Sequence, residues 1–64
     1  MDAELRKAIL NYKDYGISPT GTQLPKLVEL ARGWGYDTSS VYRCPSCLHG
    51  MLNFLGDYLV ENKL

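Results

Sequence analysis

The chain has no surplus of either charge: seven Lys and Arg are matched by seven Asp and Glu. The balance is also local, with five basic and four acidic groups in residues 1–32 and two and three in residues 33–64. No cluster of cations is present to neutralise a row of phosphates, as non-specific nucleic-acid affinity requires. A nucleic-acid partner is therefore disfavoured. A chain without net charge also lacks the self-repulsion that keeps a surface monomeric, which leaves self-association open to it.

Long apolar runs are missing as well, and none approaches the ~20 residues of a membrane-spanning helix. The start does not read as a secretion signal, since Met1-Asp2-Ala3-Glu4 is acidic where a signal is basic and no apolar stretch follows. The expectation is a soluble, cytoplasmic chain with no membrane partner. Catalytic groupings are equally scarce. The one histidine, His49, has no carboxylate partner at helical spacing, and Ser18, Ser39, Ser40 and Ser46 read as caps and loop residues. Residues 16–21 lack the Gly-Lys-Ser/Thr ending of a phosphate loop. No catalytic residue is assigned, and the chain is read as a non-enzyme.

Length excludes more. At 64 residues this is one domain, 1–64, too short for a nucleotide-binding α/β fold or a barrel enzyme. Surface scaling gives about 10,400 Å² for the unfolded chain and about 4,100 Å² folded. Burying that difference contributes about 90 kcal/mol, against about 95 kcal/mol for ordering the chain. A domain so poised gains from a partner chain, a metal or very efficient packing.

Three segments do show helical periodicity. Leu5, Ala8, Ile9, Tyr12 and Tyr15 form one apolar stripe, with Asp2 as N-cap and Gly16 as a left-handed stop whose apolar contact Ile17 would supply. Leu24, Leu27, Val28, Ala31 and Trp34 form a second, with Thr22 as the expected cap and Pro25 in the first turn. Cys47/Leu48, Met51/Leu52, Phe54/Leu55 and Tyr58/Leu59 form a third, opened by Pro45 with Cys44 near its cap. Gly50 and Gly56 each cost about 1 kcal/mol inside a helix, which suggests a neighbouring backbone packed closely there. Val41-Tyr42-Arg43 could be a short extended piece, but one strand makes no sheet. The pattern predicts an all-α domain of three helices at about 3–15, 23–33 and 45–62.

The chemical feature of the chain is Cys44-Pro45-Ser46-Cys47. Its simplest reading is two core thiols, since reduced Cys packs as a small hydrophobe; no cofactor is then expected. The alternative cofactor is zinc, which takes four ligands in a structural site. Within one chain Cys44 and Cys47 would need an improvised partner such as Asp37, because His49 points ~200° away round the helix from Cys47. A symmetric dimer is cleaner, each chain giving Cys44 and Cys47 to one Cys₄ site. That arrangement resembles the zinc hook of coiled-coil DNA-repair ATPases, whose hook is also Cys-Pro-x-Cys, although their long flanking heptads are absent here. Cys-Pro-x-Cys opening a helix also resembles the active-site motif of glutaredoxins, which implies a Cys44 thiolate resolved by Cys47. That fold needs a sheet before the helix, and residues 35–43 offer none.

Cys44 to Leu59, with the Leu24–Trp34 helix before it, resembles small helical Cys-x-x-Cys proteins encoded by phages of gut Bacteroidetes. The resemblance spans about residues 22–60. It implies a viral accessory or structural component without assigned chemistry, virion-associated in place of cytoplasmic.

A core this small buries three or four of the seven aromatic residues. Trp34 is read mainly as a core plug, and Tyr36 and Tyr42, in a polar connector, as an interaction surface that Trp34 could join. A helix-turn-helix reading would use Gln23, Lys26 and Arg32 for nucleic-acid contact, because the third helix has no basic residue before Lys63. The expected function is a structural or protein-interaction module, self-associating or bound to a protein partner. A zinc-linked homodimer comes second and nucleic-acid binding third.

Overall fold

The computed structural model describes residues 2–64, which form three helices: α1 (Ala3–Tyr15), α2 (Leu24–Gly33) and α3 (Pro45–Glu61). No strand occurs among the described residues, and the bounds fall within one residue of those the periodicity predicts. The molecule measures 29 × 23 × 18 Å and exposes 4233 Å², close to the area expected for a folded chain of its mass.

Helix α3 is the central element, and both α1 and α2 pack on it. Ile9 from α1, Leu27, Val28 and Ala31 from α2, and Met51, Leu52, Leu55 and Leu59 from α3 make the core. These are the middle positions of the three stripes, so burial follows the 3.6-residue period. Tyr15, at the edge of the first stripe, does not join them and stays 75% exposed.

Local chemistry sets each helix end. Asp2 Oδ1 accepts the Glu4 amide at 2.8 Å, the expected N-cap of α1. Gly16 ends the helix at φ 71°, its amide reaching the Tyr12 carbonyl at 2.9 Å. Ile17, expected to supply an apolar contact there, remains 55% exposed. Ahead of α2 the expected Thr22 cap is not formed, and the turn at residues 20–23 is closed by Thr20 and Gln23. The Thr20 hydroxyl accepts the Gln23 amide at 3.4 Å, and Gln23 Oε1 accepts the Thr20 amide at 3.1 Å. This is a capping box, Thr-x-x-Gln, two residues earlier than expected; it closes the turn that leads into α2, whose own N-cap residue, Gln23, receives no side-chain cap. Thr22 instead shares a 3.0 Å hydrogen bond with the Thr20 hydroxyl.

The connector from α2 to α3 begins with a Schellman turn. Gly35 takes φ 95°, its amide bonds to the Arg32 carbonyl and the Tyr36 amide to the Ala31 carbonyl, at 3.1 and 3.0 Å. Farther along, Thr38 and Val41 are buried, and the Thr38 hydroxyl accepts Arg32 Nε at 3.3 Å. Residues 41–43 form a turn, not an extended piece, because Val41 folds inward while the Arg43 and Cys44 amides return to the Ser40 carbonyl.

The glycines of α3 have a different cause from the one expected. Side chains, not a neighbouring backbone, cover them. The Tyr36 hydroxyl lies over Gly50, and the aliphatic stem of Lys13 lies over Gly56.

Candidate functional site

Steps of three and four residues place Cys47, Gly50, Phe54 and Tyr58 on one face of α3. That face lies about a quarter turn round the axis from the line of Met51, Leu52, Leu55 and Leu59 that enters the core. Two rings from the Schellman corner pack onto it. Trp34 stacks on Tyr58 with ring centroids 4.0 Å apart and planes 14° from parallel. Tyr36 meets Phe54 at 4.9 Å, and Phe54 meets Tyr58 at 5.9 Å. The result is a continuous row, Trp34–Tyr58–Phe54–Tyr36, in which every ring is half-buried.

Gly35 makes this row possible. Its left-handed backbone reverses the chain between Trp34 and Tyr36, so that both flanking side chains return to α3. The sequence places Trp34 and Tyr36 in the site but assigns Phe54 and Tyr58 to the core stripe. The signal that separates them is angular, since Cys47, Phe54 and Tyr58 form the outer edge of a stripe too wide for two short helices to cover. Tyr42 stands apart from the row and is 65% exposed, although Val41 beside it is 3% exposed.

At the N-terminal end of the same face lie the two thiols. Cys44 is the N-cap of α3, with extended backbone, and its Sγ accepts the Cys47 amide at 3.2 Å. Pro45 follows in the first turn, where its missing amide costs nothing. Both cysteines are half-buried and not bonded to each other, and neither belongs to the core cluster in which the simplest sequence reading places them. The Cys47 thiol, then the Cys47 and Ser46 amides, hold the Cys44 thiol below its ordinary value. Hydrogen bonding to Cys44, followed by burial and the charges of Cys44 and Asp37, pushes Cys47 up.

No group of three or more His, Cys, Asp or Glu side chains able to hold a metal ion occurs among the described residues. Asp37 does not complete a site with the thiols; its Oδ1 accepts the Ser39 amide at 3.0 Å. His49 lies beside Tyr12 of α1, with ring centroids 6.1 Å apart. That placement agrees with the helical-wheel argument that separates it from Cys47.

Of the three residues read for nucleic-acid contact, two are engaged within the chain. Gln23 is committed to the capping box. Arg32 pairs with Glu29 at 3.3 Å and also donates to Thr38, while Lys26 is exposed. No helix among the described residues is long and apolar enough to cross a membrane.

No family model, curated protein or solved structure matches the chain.

Proposed function

We propose that this chain is a non-catalytic protein-interaction module of the cytoplasm, whose contact face is the aromatic row Trp34–Tyr58–Phe54–Tyr36 and whose partner is a second copy of itself. The observation that carries the reading is the half-burial of four adjoining rings on one face. Trp, Tyr and Phe are enriched at the centres of interfaces, where they bury large areas with few torsions to freeze. Rings held by mutual stacking and by the Gly35 corner are preorganised, which lowers the entropy cost of docking. Zero net charge removes the repulsion that would oppose pairing of identical chains. A two-fold arrangement is the commonest way for one face to meet its own copy. The structural role implied by the resemblance to phage accessory proteins is of this same kind.

A zinc-linked dimer is the second reading, and the Cys44–Cys47 pair favours it. Two thiols at one helix end, one of them held below its ordinary titration range, supply half of a Cys₄ site. The other half would come from the second copy.

Native mass spectrometry over a concentration series, without added metal or chelator, tests both. The expected result is a metal-free dimer that grows with concentration and is lost in Phe54→Glu. Circular dichroism checks that the variant keeps its helices, and Tyr58→Ser serves as a milder second variant. A dimer heavier by one zinc, less the displaced protons, would move the interface to the thiols. A monomer at every concentration would overturn self-association.

A further inference from the structure

A cleft between α1 and the α1–α2 connector belongs to neither reading of the interface. Glu4, Lys7, Ala8 and Asn11 follow one another at steps of three and four, so they share one face of α1. After the Gly16 reversal the connector runs back along that face, where Ile17 and Pro19 form the opposite wall of a cleft of about 360 Å³. Ligand sites occupy about 300–1,000 Å³, so the space suits a small molecule. Ala8, 6% exposed, lies at its floor, and the exposed Ile17 turns aliphatic surface to the cleft.

The connector wall is tied down on both sides of the cleft. The Ile17 amide bonds to the Asn11 carbonyl at 3.4 Å, and the Thr20 amide to Gln23 Oε1 at 3.1 Å. Between them Pro19 has a fixed φ and keeps Ser18 out of the helical region. A wall ordered in advance loses little freedom on binding.

The α1 wall carries one charge of each sign. The ion pairs of the described residues, Lys13–Asp57 and Arg32–Glu29, include neither Glu4 nor Lys7. A simple anion in the cleft meets the Glu4 carboxylate, and a simple cation meets the Lys7 ammonium. A zwitterion satisfies both, and the apolar floor and connector wall take a hydrocarbon group beside it. From this arrangement we propose that the cleft binds a free α-amino acid with a branched aliphatic side chain. Its ammonium lies on Glu4, its carboxylate on Lys7, and its side chain against Ala8, Ile17 and Pro19. Cβ atoms three residues apart on a helix are about 5–6 Å apart, so two flexible side chains can close on charges borne by one carbon. Gln23 also lines the cleft, and with Oε1 taken by Thr20 it offers its NH₂ to the carboxylate.

The test titrates the ¹⁵N-labelled full chain with leucine and follows amide shifts by NMR. The expected result is saturable shifts at Lys7, Ala8, Asn11, Ile17 and Ser18, with Phe54 and Tyr58 unmoved. Isoamylamine lacks the carboxylate, 4-methylpentanoate lacks the ammonium and alanine lacks the branched side chain. Each should bind at least about threefold more weakly, the range of a partly exposed charge pair or a few methyl groups. Lys7→Met and Glu4→Gln should each weaken leucine to a similar degree while circular dichroism shows the helices kept. Absence of saturable shifts at the cleft, equal binding of the single-charge analogues, or unchanged leucine binding in both variants would overturn the proposal. The aromatic row enters none of these readouts, so failure here is distinguishable from failure of self-association.

Discussion

Gly50 lies directly beneath the hydroxyl of Tyr36: a Cβ added at position 50 would stand 3.0 Å from Tyr36 Oη. The Tyr36 ring is held between the Gly35 corner and Phe54, so it has little room to withdraw. Gly56 differs, because a Cβ there would meet the stem of Lys13 at 3.1 Å, and that exposed side chain is flexible. Ala at position 56 should add up to about 1 kcal/mol from helix propensity, or roughly 4–8 °C in Tm. Ala at position 50 should gain none of this and should displace Tyr36. Thermal unfolding of Gly50→Ala and Gly56→Ala by circular dichroism checks the contrast, and equal gains would refute it.

Gly35→Ala is expected to destabilise the chain by about 1–2 kcal/mol, since a Cβ strains the left-handed backbone. Gly33, where an added Cβ meets nothing within 4 Å, provides the control. Urea unfolding should show a loss for Gly35→Ala and none for Gly33→Ala.

Leu55 is fully buried at the centre of the core. Leu55→Ala should cost about 2–5 kcal/mol, enough to unfold much of a domain this marginal at room temperature. A measured loss under about 1 kcal/mol would mean that α3 does not turn this residue inward.

Stability should vary with pH through the thiol pair. Cys44 titrates below the ordinary 9.0 in the folded chain, so its contribution is present above 9.0 and is lost as pH falls through the lower folded value. Cys47 titrates above 9.0, so its contribution is present below 9.0 and is lost as pH rises through the higher folded value. Tm should therefore rise as pH climbs toward 9.0 and fall beyond it. Replacing Cys44 by Ser should abolish the rising limb, and a Tm scan of both proteins in matched ionic strength measures it.

The three helices were legible in the sequence because each carries a stripe at helical spacing and a residue that stops it. Asp2 and Gly16 mark α1, and Pro45 marks the start of α3, through chemistry confined to one turn. The turn at residues 20–23 was harder to read because Thr20 and Thr22 are both good caps, and Gln23 decides between them by bonding backwards. Thr38 and Val41 gave no periodic signal, since they anchor an irregular connector by single contacts. Trp34 and Tyr36 were legible as site residues from their glycine-flanked corner. Phe54 and Tyr58 were not, because a hydrophobic stripe shows which side of a helix is apolar but not how far its neighbours extend across it.

Trp34 is the single tryptophan of the chain, and its indole lies flat against Tyr58. Its fluorescence and near-ultraviolet dichroism therefore come from one defined location, the junction of the Gly35 corner with α3. Occupation of the row by another surface would change the solvent around that indole, and loosening of the corner would separate the two chromophores. The protein thus contains its own optical reporter, able to follow docking and local opening without an attached dye.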